Sequence, residues 1–331
     1  MFNEASLLIT GGTGTFGRQL VRTILSRYQP RRVIVFSRDE LKQSEMQRDF
    51  PQRCMRYFIG DVRDEGRLHQ ALQGVDYVVH AAALKQVPTA EYNPSEFVKT
   101  NILGAQHIIA ATIANRVKKV IDLSSDKAVN PTSFYGATKL VSDKLFVAAN
   151  KSIEGQVTQF SVVRYGNMAA SRGSVVPLFR RLLAEGCTRL PVTHLEMTRF
   201  WLTPAEGVEA MLEAFSHMRG GEIFIPKVPS CRIVQLAEAF LPGREPEIIG
   251  LRPGEKLHEA MWSEDEAHLV LEFPGYYLLR PPAALVADSV YAVNSQGESG
   301  RAVSAGFVYN SAANPRFLSV PELRRMLEEH K

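Results

Sequence analysis

Between Ser124 and Lys139 the chain reads S-S-D-K-A-V-N-P-T-S-F-Y-G-A-T-K, which gathers an acid, two amines and a phenol in one short stretch. Tyr135 and Lys139 are four residues apart, so a helix opening at Tyr135 carries both on one face. An ammonium beside a phenol favours the phenolate, and a phenolate poised near neutrality is a general base. Asp126 and Lys127 are adjacent and follow Val120 to Leu123, an apolar run that reads as a buried strand. Side chains at the C-terminal ends of strands face ligands in open α/β sheets. Taken alone, Tyr135 and Lys139 fit a solvated helix pair equally well, and Asp126 and Lys127 fit a plain salt bridge. The elements that position them have to decide.

Ser6 to Thr10 is a short apolar run that leads into Gly11-Gly12-Thr13-Gly14-Thr15-Phe16-Gly17. Phe16, Leu20, Val21, Ile24, Leu25 and Tyr28 then recur at helical spacing as far as Pro30. Strand, glycine turn and helix are the context of a dinucleotide site. Gly11, Gly14 and Gly17 let the backbone approach a pyrophosphate at a helix N-terminus, with Thr13, Thr15 and Phe16 completing the cradle. The next strand, Val33 to Phe36, ends at Ser37-Arg38-Asp39. Ser37 and Arg38 suit a 2'-phosphate and point to NADP. In the alternative, Arg38 is a solvated loop charge and Asp39 holds the ribose of NAD.

The strands Arg56 to Ile59 and Asp76 to His80 end in Gly60-Asp61-Val62 and Ala81-Ala82-Ala83. Asp61 and Val62 are placed for the adenine, and Ala81 and Ala82 let a cofactor lie against the backbone. Lys85 follows in a loop at the same edge, either solvated or on a cofactor or substrate phosphate. One long helix is expected from Ser95 to about Val117; Asn101 within it faces solvent or braces the active loop. A helix from Tyr135 to about Asn150 and a strand from Gln159 to Arg164 complete the first half.

Six strands alternating with helices imply a Rossmann-type, doubly wound parallel sheet. Beyond Asn167, a helix is expected at Leu178 to Leu183, a seventh strand at Glu222 to Pro226 and a helix at Ile233 to Phe240. A strand near Glu247 to Leu251 and a terminal helix after Ser319 follow. The expected division is a cofactor domain over 1–170 with a return segment at about 197–226. A smaller α/β substrate lobe takes 171–196 and 227–331.

Composition narrows the class. The chain has 331 residues, 45% hydrophobic and 22% charged, as in ordinary soluble proteins. Its formal charge of +4 is modest and no run of basic residues exceeds a pair, as at Arg31 and Arg32, which argues against a nucleic-acid surface and fits a pocket for an anion. Cys54, Cys187 and Cys231 lack metal-ligand spacing and read as reduced thiols, so no metal is expected. With no signal-type N-terminus and no apolar run of membrane-spanning length, the expected location is the cytoplasm.

With these residues in view, the chain resembles the extended short-chain dehydrogenase/reductases, and more narrowly the inverting UDP-N-acetylglucosamine 4,6-dehydratases of pseudaminic acid biosynthesis. The motifs T-G-G-T-G-T-F-G, F-S-R-D-E-L-K-Q, S-S-D-K-A-V-N-P-T-x-x-Y-G-A-T-K, V-R-Y-G-N, S-R-G-S-V-V-P, M-T-R-F-W, L-R-P-G-E-K and N-P-R-F-L-S-V carry that resemblance along nearly the whole chain. It implies NADP reduced and reoxidised within one turnover. Tyr135 then takes the 4-hydroxyl proton and Lys139 holds the nicotinamide ribose and lowers the phenol pKa. Lys127, which must be neutral, removes the C5 proton, and protonated Asp126 releases the 6-hydroxyl. Retaining relatives carry an Asp-Glu pair where Asp126 and Lys127 stand, so Lys127 implies inversion.

The resemblance also puts UDP on Asn167, Ser174, Val175, Arg199, Arg252 and Glu255, with Lys85 and Arg172 beside the substrate. It implies a homo-oligomer built from dimers, often a hexamer, with flagellin as the decorated partner at family level. Gln86, where relatives carry histidine, and Met168-Ala169-Ala170 depart from the family pattern in the sugar pocket. A 4-epimerase or retaining dehydratase is the nearest competing activity. A non-catalytic NADP-binding regulator is the competing class.

Overall fold

A strand buried on both faces carries an unbroken apolar run, and Leu7, Leu8 and Ile9 of β1 (Ser6–Thr10) are almost wholly buried. The computed structural model describes residues 1–151, 155, 157–169, 171, 173–282 and 288–328. After β1 come α1 (Thr15–Arg27), β2 (Arg32–Ser37), α2 (Glu40–Asp49), β3 (Met55–Ile59), α3 (Glu65–Ala71) and β4 (Tyr77–His80). Two short helices, α4 (Val87–Tyr92) and α5 (Pro94–Phe97), precede α6 (Gly104–Ala114). Then follow β5 (Lys119–Ser125), α7 (Phe134–Ala148), β6 (Gln159–Tyr165) and β7 (Asn167–Met168). The second half holds α8 (Val175–Ala184), β8 (Pro191–Val192), β9 (Thr198–Leu202), α9 (Pro204–His217), β10 (Ile223–Pro226), β11 (Ser230–Arg232) and α10 (Ile233–Phe240). It ends with β12 (Glu247–Ile248), β13 (Val270–Glu272), β14 (Tyr276–Leu279), β15 (Arg301–Ala302) and α11 (Val320–Glu328).

The main sheet has the order β15-β13-β14-β10-β6-β5-β4-β1-β2-β3. Its run from β3 to β10 is parallel, with Leu8 opposite Ile34 and Val78. This is the doubly wound sheet that strand and helix alternation predicts. Successive residues of a strand serve opposite layers. Leu8, Ile34, Val78 and Val120 pack with Ile108 and Phe146 on one side, while Leu7, Ile9, Val33 and Val35 pack with Leu20, Ile24, Met211 and Phe215 on the other. Each such fully buried side chain contributes roughly 1.5–3 kcal/mol.

Three features differ from expectation. The long helix from Ser95 is broken: a π-helical turn, Val98–Leu103, joins α5 to α6. π turns in helices often mark functional positions, and this one turns Asn101 inward. Its amide accepts from the Leu84 N–H at 2.9 Å and donates to the Leu84 carbonyl and the Thr138 hydroxyl, so it braces the loop rather than facing solvent. The second difference is at the sheet edge, where β14 runs antiparallel to β10 and carries β13 and β15 outside it. The short strand β12 pairs with β8 and stops at Ile248, not Leu251.

The remaining elements of the second half form a separate layer. The sheet β11-β9-β7 packs with α8, α10 and α11 around Val176, Phe179, Trp201, Leu236 and Leu323. Because β7 directly follows β6, this layer is fastened to the C-terminal edge of the main sheet, where strand ends open to ligands.

Candidate active site

The turn from Gly11 to Gly17 is shaped by space as much as by flexibility. Gly11 adopts φ +62, and a Cβ there would lie 2.9 Å from the Ala82 backbone. A Cβ on Gly17 would lie 2.2 Å from the Gly12 carbonyl oxygen. Gly14 caps α1 with no side-chain hydrogen bond, leaving first-turn N–H groups directed to the cleft, as a pyrophosphate requires. Thr10 shapes the opposite wall. Its hydroxyl accepts from the Ala81 and Ala82 N–H groups and so donates to His80 Nδ1 at 2.8 Å. Burial pushes His80 down to about 3, which keeps the ring a neutral acceptor.

These walls belong to a cleft of about 900 Å³ running along the strand ends. Gly11, Thr13, Gly14, Thr15, Phe16, Gly17, Ser37, Arg38, Asp61, Val62, Ala81 and Ala82 line one half. Lys85, Lys127, Tyr135, Lys139, Asn167, Ser174, Val175, Arg199, Arg252 and Glu255 line the other. Arg172 and Ala170 lie outside the described residues. Asp126 belongs to the site but not to its surface: it is fully buried beneath Lys127.

At the nucleotide end, Ser37 bonds Thr13 through their hydroxyls at 3.1 Å, and Arg38 reaches Asp61 at 3.4 Å. Asp61 is also gripped by Arg63, so although burial alone would raise its pKa, it stays below the ordinary carboxylate value. Asp39, the alternative ribose ligand, instead caps α2 through the Lys42 N–H and pairs with the Lys42 ammonium.

At the reaction end, α7 begins one residue before Tyr135, capped by the Ser133 hydroxyl on the Gly136 N–H at 3.1 Å. Tyr135 and Lys139 therefore share a helix face. Lys139 lowers the phenol pKa as expected, but the net shift is upward. Burial dominates and raises Tyr135, with the Lys139 and Lys127 charges and the Ser125 hydroxyl only partly offsetting it. Lys139 itself lies 3.0 Å from Asp122, which also accepts from Ser142. Burial opposes the lysine charge, yet Asp122 and Asp143 hold its pKa above the usual value.

Lys127 is likewise a cation in this state. Its Nζ donates to Asp126 Oδ1 at 3.0 Å and to Asn167 Oδ1 at 3.1 Å, and Glu259 Oε1 stands 3.4 Å away. Burial works against the charge, but Asp126 and Glu259 outweigh it and raise the pKa. Asp126 Oδ1 also accepts from the Ser125 hydroxyl at 2.9 Å, and its Oδ2 is buried without a hydrogen-bond partner.

Ser125 and Glu259 are site residues that sequence reasoning missed. Ser125 was visible in S-S-D-K and Glu259 at the end of L-R-P-G-E-K-L-H-E, but neither position alone says what it faces.

The expected UDP ligands are less free than surface arginines. Arg199 donates to the carbonyls of Thr198, Leu257 and Lys256, so it holds the 256–257 backbone while presenting a buried positive charge. Arg252 pairs with Glu255, Lys85 reaches the Ser171 hydroxyl at 3.3 Å, and the Ser174 hydroxyl is buried without a hydrogen-bond partner at the start of α8. Among the described residues no His, Cys, Asp and Glu side chains group as a metal site, and no helix is long and apolar enough to cross a membrane.

Residues 7–281 match the family described as polysaccharide biosynthesis protein. Over 324 residues the chain is 54% identical to a protein of Campylobacter jejuni subsp. jejuni named UDP-N-acetylglucosamine 4,6-dehydratase (inverting), covering 98% of this chain and 97% of the relative. A Rickettsia akari protein named UDP-glucose 4-epimerase is 38% identical over 338 residues, 99% of this chain and 96% of the relative. Among solved structures, Pen from Bacillus thuringiensis superposes with a TM-score of 0.90 at 38% identity, covering 100% of this chain and 99% of that one. The chain belongs to the polysaccharide biosynthesis protein family, as an extended short-chain dehydrogenase/reductase similar along its whole length to the inverting UDP-N-acetylglucosamine 4,6-dehydratases.

Proposed function

We propose that the protein dehydrates UDP-N-acetylglucosamine with inversion at C5, giving UDP-2-acetamido-2,6-dideoxy-L-arabino-hexos-4-ulose, the first step toward pseudaminic acid. One observation carries the reading: Lys127, closed at 3.0 Å on the buried Asp126, lines the same cleft as Tyr135 and Lys139. Epimerisation at C4 uses the phenol and its lysine but has no task for a buried acid and amine. The 54% identity to the Campylobacter dehydratase supports the same substrate. Residues 1–170 and the return segment 197–226 hold the cofactor in this reading. Asn167, Ser174, Val175, Arg199, Arg252, Glu255 and the neighbouring Arg172 hold UDP, with Lys85 between the two. The enzyme works in the cytoplasm as a dimer-based homo-oligomer.

Bound NADP supplies the hydride acceptor for C4 and the hydride donor for C6. Tyr135 takes the proton of the 4-hydroxyl as the 4-ketone forms. The ketone acidifies C5, and the Lys127 amine removes that proton. The electrons of the C5–H bond pass into the enolate and expel O6, which leaves as water with the proton of Asp126. A proton then reaches C5 on the opposite face. Two protons pass from sugar to protein and two return, so the turnover needs no net proton. One proton passing from Lys127 to Asp126 along their 3.0 Å hydrogen bond turns the resting ion pair into the neutral base and protonated acid together, without changing the charge of the site.

Turnover in deuterated water tests the reaction. The expected product carries deuterium at C5 and has lost its 6-hydroxyl; simple conversion to the galacto sugar would mark an epimerase instead. For the cofactor, Asp39 is engaged in capping α2 and pairing with Lys42, which supports a 2'-phosphate on Ser37 and Arg38. Arg38→Ala should then weaken NADP binding by about 10-fold or more while leaving NAD binding nearly unchanged, since a charge-assisted bond to phosphate contributes about 1.5–3 kcal/mol. Equal losses for the two dinucleotides in a fluorescence titration would remove the assignment.

A further inference from the structure

Glu259 has no role in the reaction just described, yet it reaches the Lys127 amine from the second lobe. It is 2% exposed. Its Oε1 lies 3.4 Å from Lys127 and 3.9 Å from Arg199 Nε, and its Oε2 lies 2.8 Å from Lys256. Lys256 in turn donates to the Val129 carbonyl at 2.9 Å, and Thr132 donates to the Gly254 carbonyl at 3.2 Å. One carboxylate thus joins the amine, the turn that carries it and strand β9.

We propose that Glu259 is a positioning residue for the elimination step: it anchors the Lys127 amine from the second lobe and sets the pH range in which Asp126 and Lys127 share one proton. The proposal rests on the dehydratase reading. An ammonium has three N–H donors and no acceptor, and three oxygens surround this one, from Asp126, Asn167 and Glu259. To act as a base Lys127 must give one proton to a neighbour. Asn167 cannot take it. Glu259 faces Lys127, Arg199 and Lys256, and these cations hold it below its ordinary pKa against the effect of burial, so it stays ionised. Asp126, wholly buried and paired with Lys127 and the Ser125 hydroxyl, is left as the acceptor. The neutral amine keeps two N–H groups, which Asn167 and Glu259 hold while its lone pair turns to C5.

Every charged group near the amine bears on the balance. Asp126 and Glu259 favour the ammonium, Arg199 opposes it, and Lys85 and Tyr135 face it across the cleft. Removing the charge of Glu259 therefore shifts the ionisation of the Lys127 amine to lower pH.

The test compares wild type, Glu259→Gln and Glu259→Asp with NADP and UDP-N-acetylglucosamine. The first-turnover absorbance of reduced cofactor reports oxidation, and C5 deuterium with 6-hydroxyl loss reports elimination, each followed against pH. Glu259→Gln is expected to oxidise within about twofold of wild type, to eliminate at least about 10-fold more slowly and to move the basic limb of elimination down by about one pH unit or more. Glu259→Asp, with the charge kept and the reach shortened, is expected to eliminate slowly with the limb where wild type has it. If the Gln variant does not fold, the Asp variant alone decides, and a displaced limb there overturns the proposal. Equal slowing of both steps with unmoved limbs marks a merely structural residue and also overturns it. A wild type that reduces cofactor but never loses the 6-hydroxyl overturns the dehydratase reading first, before any variant is compared.

Discussion

Lys127→Met is expected to leave oxidation at C4 in place and to slow dehydration by roughly 10²- to 10⁴-fold, the usual contribution of a positioned general base. Tyr135, Lys139 and the glycine turn are untouched by the change, so reduced cofactor should accumulate and C5 should take up no deuterium. Methionine fills much of the lysine volume but offers no N–H. Asp126 is then left buried with its Ser125 bond alone, and Glu259 keeps only Lys256 and Arg199. Losing one partner of a buried ion pair costs about 3–5 kcal/mol, which should appear as a lower melting temperature.

Lys127→Arg separates the two effects. A guanidinium restores charge to the carboxylates but does not give up its proton, so stability should recover while dehydration does not. C5 exchange at the wild-type rate in Lys127→Met would remove Lys127 as the base.

What could be read from the chain follows from how local each feature is. The strands β1, β2, β4, β5 and β6 were legible because interior parallel strands are buried on both faces, which leaves runs such as Ser6–Thr10 and Arg32–Ser37 with a strong apolar signal. The glycine turn was legible because its spacing answers to one ligand geometry. The antiparallel additions Val270–Glu272, Tyr276–Leu279 and Arg301–Ala302 are too short to show a period, and only the edge offered by β10 makes them strands.

The π turn was hidden for a different reason. Asn101 is an ordinary helix residue until Leu84 and Thr138 arrive from distant segments to bond it. The same holds for Glu259, whose partner Lys127 lies in the other half of the chain. At Tyr135, spacing to Lys139 gave the charge that lowers the phenol pKa but could not weigh the burial that raises it.

A second large effect is expected at Gly136, the residue after Tyr135 on α7. Its backbone is ordinary right-handed helix, so conformation does not demand glycine there. Space does: a Cβ at Gly136 would lie 2.2 Å from the Lys127 carbonyl oxygen and 3.0 Å from Pro131 Cβ. The first of these contacts is with backbone and cannot be relieved by a rotamer change. Gly136→Ala must therefore push the 126–131 turn away from α7 by on the order of 1 Å, since carbon and oxygen settle beyond about 3 Å. Lys127 moves with its carbonyl and carries Asp126 along on the same turn, while the 3.1 Å contact to Asn167 on a different element opens. A misplacement of about 1 Å can cost about 10²-fold in rate, so dehydration should fall by at least that factor. NADP affinity should change little, because the cradle at Gly11 to Gly17 stands on β1 and α1. Elimination rate and NADP affinity measured on the same variant separate the two. Wild-type turnover in Gly136→Ala would mean that the close contact with α7 does not set where Lys127 stands.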